Sequence, residues 1–362
     1  MTTLFLCGDV MIGRGIDQIL EHSVEPRLYE SHVTDARTYV ELAERVAGPI
    51  PRGVDPAYVW GSALDELDRR APDVRLVNLE TAVTTSADAW PNKEVLYRTH
   101  PANVEVLRAA RVDACSLANN HVLDWGYAGL AETLSTVRTA GIATIGAGQD
   151  LAEAQAPALF DVPGGGRVVV IGIGSTSSGV PRTWAATSDQ PGVDLADGWS
   201  LEAAAGLAER LRRAGDIVVA SVHWGSNWGY DVPDAQRRLA HALVDEAGVD
   251  VVHGHSSHHP RPIEVHNRRL ILYGCGDFIT DYEGIRGYEE FRDDLVLAYL
   301  PTLEPGGGRL EDLTMVPFRL RRFQLTPVSD DELRWLAATL DRASQPFGTR
   351  VAIRDDRSLA IG

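Results

Sequence analysis

Five times along this chain a short apolar run ends abruptly in a cluster of acids, amides or histidines. Leu4–Cys7 leads into Gly8-Asp9, and Val74–Val77 leads into Asn78-Leu79-Glu80. Cys115–Ala118 leads into Asn119-Asn120-His121 and on to Asp124. Val218–Val222 leads into His223-Trp224-Gly225, and Val249–Val252 into His253-Gly254-His255-Ser256-Ser257-His258-His259. Runs of this length, rich in Val, Ile and Leu, are buried strands. Between them the apolar spacing changes to that of helices. Strand–helix alternation gives an α/β architecture, and such sheets gather their ligands at the carboxyl ends of strands.

The expected strands are Leu4–Val10, Val74–Leu79, Ala114–Ala118, Val168–Ile173, Ile217–His223, Val249–His253 and Leu270–Gly274. The expected helices are Pro101–Arg111, Leu130–Arg138, Leu201–Arg213 and Ala235–Ala247. After about residue 262 the pattern shifts towards strands. Ile263–His266 and Arg269–Leu272 form a hairpin about Asn267-Arg268, then come Leu295–Tyr299, Val316–Phe323 and a helix over Asp331–Arg342. Such an order suits two mixed sheets packed face to face with helices outside. No linker divides the chain. Residues 24–58 contain prolines and lack periodicity, so a long loop or a lid is expected there.

Charge narrows the partners. With 34 Lys and Arg against 51 Asp and Glu, the net charge is −17. That is the wrong sign for displacing counterions from nucleic acid or for adhering to anionic membranes. No apolar run is long enough to span a bilayer, and the N-terminus lacks the basic and apolar regions of a signal peptide. A cytoplasmic location is expected. Cys7, Cys115 and Cys275 have no metal-type spacing and sit in apolar runs, as buried reduced thiols do.

Asp9, Glu80 and Asn120 offer oxygen donors and the histidines offer imidazoles, so one divalent metal ion is expected. The glycines around Arg14 match neither a nucleotide nor a dinucleotide fingerprint, and no organic cofactor is expected. Arg14 is a candidate for holding a phosphate or a carboxylate, with a salt bridge as the alternative. Trp125, Trp224 and Trp228 adjoin the motifs, either as core residues or as walls for an apolar substrate group. Asp277 ends the run Leu270–Gly276 and could reach the same site.

The motif series, with Gly254-His255 and Pro262-Ile263-Glu264, resembles the CapA-like family named for poly-γ-glutamate capsule synthesis. That family lies within the calcineurin-like metallophosphatase superfamily. The resemblance spans about Leu4 to Leu300, giving a domain over 1–300 with the strands and helix of 301–362 packed on it. It implies a sandwich of two mixed β-sheets flanked by helices, with metal between the sheets. By analogy Asp9, Glu80, Asn120, His223 and His258 fall at ligand positions, and His121 falls where the superfamily keeps a catalytic histidine. Two positions depart from the superfamily pattern. Met11 stands where a histidine is usual, and Ser256 replaces a ligand in the late His-x-His. A single Ca²⁺ or Mn²⁺ is therefore expected.

Three functions follow. The preferred one resembles lasso-peptide epimerases: inversion at Cα of the C-terminal residue, with Trp a candidate, of a ribosomal precursor peptide. The peptide is then the partner, with a leader-peptide-binding protein to deliver it. Inversion needs a base on one face and an acid on the other, roles that histidine fills near neutral pH. Candidate pairs are His121 with Asp124, and His255 or His258 with Asp9 or Asp277. The alternatives are phosphoester hydrolysis or a role in poly-γ-glutamate synthesis, and a non-catalytic binding protein.

Overall fold

A computed structural model describes residues 1–163, 165–196, 213 and 215–362. Two mixed sheets face each other. The larger runs Val351–Ile353, Leu359–Ile361, Leu310–Arg321, Leu295–Leu303, Thr2–Val10, Val74–Leu79, Ala114–Ser116, Ala143–Ile145, with Asp277–Ile279 also paired to the first strand. The smaller runs Ile263–His266, Arg269–Leu272, Val251–His255, Ile217–His223, Arg167–Gly174, Ala158–Asp161. In the larger sheet, Thr2–Val10 and the strands up to Ala143–Ile145 are parallel. In the smaller, the four strands from Arg167–Gly174 to Arg269–Leu272 are parallel.

Side chains alternate along each strand, which makes the layers. Leu4, Leu6 and Leu76 of the larger sheet share one core with Val168, Val170, Val219, Val251 and Leu272 of the smaller. The intervening Phe5, Cys7, Val77 and Cys115 pack outward, against Leu130 and Leu134 of helix Gly126–Thr139. Val169, Ile171, Val218 and Val252 pack on Ala240 and Leu243 of helix Asp234–Asp245. Both faces of each sheet are thus covered, as the near-continuous apolar runs require. All three cysteines are free and buried.

Several expectations shift. The strand expected over Val249–His253 runs Val251–His255 instead. Gly248 turns at φ +67° and the Val249 amide bonds the Leu243 carbonyl, so these residues end the preceding helix. Pro101–Arg111 is a 3₁₀ turn, Pro101–Val104, running into helix Glu105–Ala109. The expected helix Leu201–Arg213 lies outside the described residues, save Arg213. Within 24–58 a helix, Arg37–Ala47, interrupts the expected loop, and a 3₁₀ turn, Tyr58–Trp60, closes it.

Candidate metal and acid/base centre

Two Gly-Asp pairs begin the site. A Cβ at Gly8 would meet the Gly276 carbonyl oxygen at 1.5 Å, so only glycine lets these strands approach so closely. The Asp9 amide bonds that same oxygen at 3.1 Å. The approach sets Asp9 beside Asp277 in parallel register, and beside Asn78 on the other flank. Asn78 Nδ2 donates to Asp9 Oδ1 at 2.8 Å and to Glu80 Oε2 at 3.3 Å. Asn119 Nδ2 donates to Asn78 Oδ1 at 3.1 Å, and Asn119 Oδ1 accepts the His121 amide at 3.1 Å.

Three buried carboxylates meet here, and two of them, Asp9 and Glu80, are raised. Burial and then the Asp277 charge push Asp9 up to about 7. Burial and then Asp9 hold Glu80 well above the usual carboxylate range. Oδ2 of Asp9 and Oδ2 of Asp277 are buried with no hydrogen-bond partner.

The smaller sheet contributes a chain of imidazoles. His253 Nε2 donates to the Cys7 carbonyl at 2.8 Å, leaving its Nδ1 bare, 3.1 Å from Ser221 Oγ. Ser221 Oγ lies 2.9 Å from His255 Nε2. With the hydroxyl donating to His253, His255 donates through Nε2 and its Nδ1 is bare. His255 Nδ1 lies 2.8 Å from His223 Nδ1, and His223 Nε2 lies 3.1 Å from Asn120 Oδ1. Burial holds His223 and His255 far below the usual histidine range, and His253 at about 4. Neutral His223 carries one proton, so one of its ring nitrogens keeps a lone pair available to a cation.

Asp9 belongs to two donor sets, one with His223 and His255 and one with His258 and Asp277; within each, donor atoms lie within 4.8 Å of one another. Orphaned carboxylate oxygens, bare imidazoles and an amide oxygen fit a divalent cation. Asp9, Glu80, Asn120, His223 and His255 are the residues that would hold it.

Two histidine–carboxylate pairs flank this cradle. His121 Nδ1 lies 2.7 Å from Asp124 Oδ2, while Nε2 faces Glu80 Oε1 at 3.8 Å. Lys93 Nζ sits 2.6 Å from Asp124 and 3.2 Å from His121 Nδ1. Burial and Lys93 together outweigh Asp124 and bring His121 down to about 4. His258 Nδ1 lies 2.9 Å from Asp277 Oδ1 and its Nε2 3.0 Å from the Asn227 amide. Burial opposes charge on His258, yet Asp277, Asp9 and Asp293 outweigh it and raise the group.

The bacterial capsule synthesis protein family PGA_cap matches residues 3–282. The chain belongs to that family. A probable polyglutamine synthesis accessory protein of Mycobacterium tuberculosis is 48% identical over 365 residues, covering 100% of this chain and 96% of that protein. The PGA biosynthesis protein CapA of Bacillus subtilis is 29% identical over 328 residues, covering 90% and 74%. Among solved structures, a phosphatase of Mycoplasma pneumoniae is similar at TM-score 0.48 and 11% identity, over 92% of this chain and 96% of that one.

Within this family member, Asp9, Glu80, Asn120, His121, Asp124, His223, His255, His258 and Asp277 come together at one site. His255 stands among the metal donors rather than beside a proton-carrying carboxylate; its nearest acid, Asp9, is 3.9 Å away. Arg14 is already engaged. It forks onto Asp281 at 3.1 and 2.6 Å, reaches Glu30 at 2.9 Å and lies 3.8 Å over the Tyr39 ring. Trp125 and Trp224 are buried, their indole N–H groups donating to the Tyr97 and Tyr273 carbonyls, both at 3.1 Å. These three are placed as structural residues. Half-buried Trp228 does border the site, 5.2 Å from the His258 ring and stacked on Tyr288 at 3.9 Å. Met11 is buried, with the Tyr282 hydroxyl against its sulfur, and Ser256 turns the chain at φ +100°. Asn78, Lys93, Asn119, Ser221, Asn227 and His253 are site residues that the motifs alone did not single out for a role. For Asn78, Asn119 and His253 the signal was position inside a motif; for Lys93 there was none. No helix among the described residues is long and apolar enough to cross a membrane.

Proposed function

We propose that this family member is a metal-dependent acid/base enzyme that inverts the Cα centre of the terminal residue of a peptide-type chain. The observation that carries the reading is the opposite displacement of two imidazoles across one carboxylate cradle. His121, paired with Asp124 but beside Lys93, is held down at about 4, whereas Asp277 in contact with His258 raises that imidazole and favours its charged form. Environments that split two like groups in this way assign the base and the acid.

His121 Nε2 takes the Cα proton, and the C–H electron pair moves into the adjacent carbonyl. Asp124 fixes the ring and stabilises its charged form. Charged His258, with the Asn227 side-chain amide turned to present its oxygen to Nε2, returns a proton from Nε2 to the opposite face, with Asp277 as its counter-ion. A divalent cation, when bound, supplies positive charge for the substrate's carbonyl. The names of the relatives direct the substrate class towards a glutamyl or glutaminyl chain. Trp228 stacked on Tyr288 favours, as the competing peptide, a lasso precursor with an aromatic C-terminal residue and its leader-binding partner.

Phosphoester hydrolysis is the second reading, favoured by Asp9 standing in two donor sets, the layout of a two-metal clamp. One experiment separates them. Protein loaded with Mn²⁺ or Ca²⁺ is incubated in D₂O with oligoglutamate and oligoglutamine peptides and analysed by mass and by chiral chromatography. Inversion gives one deuteron at the terminal Cα, a new diastereomer and one metal per chain. Rapid cleavage of a bis-aryl phosphate with two metals per chain, and no deuterium in any peptide, would replace it with hydrolysis.

A further inference from the structure

Glu264 belongs to a motif that the centre described above does not use. It lies on Ile263–His266, the edge strand of the smaller sheet. We infer that this edge carries a separate transition-metal site, of Zn²⁺ type, built from His241, Glu264 and His266, with Asp245 beside His266.

Two simple periodicities bring the donors together. His241 and Asp245 are one turn apart on helix Asp234–Asp245 and share a helix face. Glu264 and His266 are two apart on a strand and share a sheet face. His241 Nε2 lies 3.1 Å from both oxygens of Glu264, and His266 Nε2 lies 3.0 and 2.9 Å from the two oxygens of Asp245. The two imidazoles stack at 3.9 Å with an 8° tilt. Donor atoms of His241, Glu264 and His266 fall within 4.8 Å of one another. Zinc–nitrogen and zinc–oxygen bonds of about 2.0–2.2 Å arranged as a tetrahedron hold donors roughly 3.3 Å apart, so small movements complete the set.

The surroundings suit a metal. The Glu264 carboxylate is buried, and Tyr273 donates its hydroxyl to Oε2 at 2.6 Å, the kind of outer contact that orients a ligand. Arg237 also reaches Glu264, at 3.2 Å, from a side chain that is 44% exposed and lies over the Phe347 ring at 5.2 Å. Full ion pairing of both histidines would stack two positive rings face to face. Neutral rings sharing one cation avoid that repulsion. Imidazole with carboxylate selects zinc, nickel or copper over calcium.

The test compares wild type with the His241→Ala/His266→Ala double variant and with His266→Gln, the milder surface change. Each protein is dialysed to equilibrium against Zn²⁺ and analysed for metal, and thermal unfolding is followed with and without Zn²⁺. The inference requires one zinc fewer per chain in both variants, a smaller zinc-induced rise in Tm, and unchanged Tm in chelator for His266→Gln. It also requires that Asp9→Asn leave this zinc in place, which keeps the result independent of the acid/base centre. Equal zinc content in wild type and His266→Gln would overturn it.

Discussion

Replacing Asp9 with Asn should make the metal-free protein more stable and the metal-loaded protein less so. The carboxyl is fully buried, and its pKa moves from 3.8 to about 7 on folding. A carboxyl raised by folding loses stability as pH rises: none below its unfolded pKa, progressively more between the two values, and the whole amount above the folded one. The rise of about 3 units corresponds to about 4 kcal/mol at pH 8, at roughly 1.4 kcal/mol per unit. Asn keeps the oxygen that accepts from Asn78, so most of that cost should be recovered. Metal reverses the order, because a ligand at a hundred times its Kd stabilises the folded state by about 2.7 kcal/mol, and the amide is a poorer donor. The assay is urea unfolding of both proteins at pH 5, 6.5 and 8, in chelator and in Mn²⁺. In chelator the variant should gain on wild type as pH rises, by about 2–3 kcal/mol between pH 5 and pH 8, with the lines converging only towards the unfolded value of 3.8. A variant less stable than wild type in chelator at pH 8 would refute the electrostatic account.

Asp277→Asn removes the negative partner that raises His258. The falling limb of the pH–rate profile, which reports loss of the acid, should move down by about 1–3 pH units, while the rising limb near 4 set by His121 stays. Ser221→Ala releases the tautomer of His255; metal affinity measured by calorimetry should fall about 10–100-fold, with activity restored at high metal. Gly8→Ala drives a methyl into the Gly276 carbonyl. Denaturant unfolding should register a loss of at least about 3 kcal/mol or no soluble folded protein.

Much of the centre was legible because strands end where their apolar runs end. Asp9, Glu80, Asn120 and His223 are each the first or second polar residue after such a run, and parallel register brings them level. The pairing of acids with histidines was not legible. It depends on the glycine-mediated contact of Gly8 with Gly276, 268 residues apart in sequence, which makes Asp277 rather than Asp9 the partner of His258. Lys93 was invisible for a similar reason: it comes from an irregular stretch and reaches Asp124 only through the fold. Tryptophans beside motifs carry no label of direction. Trp224 points into the helix-side core while Trp228, four residues later, faces outward beside His258. The overall two-sheet arrangement was legible from alternation; the limits of Val251–His255 were not, because Val249 is apolar yet serves the preceding helix.

The Arg14 cage bears on how anything enters. Segment 24–58 is fastened to the first motif through Glu30, and Arg14 in turn through Asp281, with side chains 4%, 12% and 3% exposed. Undoing such a buried pairing costs about 3–5 kcal/mol, so the segment would stand open in roughly one molecule in a hundred to one in several thousand. Traffic by that route would throttle turnover. Beside His258, by contrast, Trp228 is half-buried and Asn227 exposed, so solvent comes closer to the centre on that side.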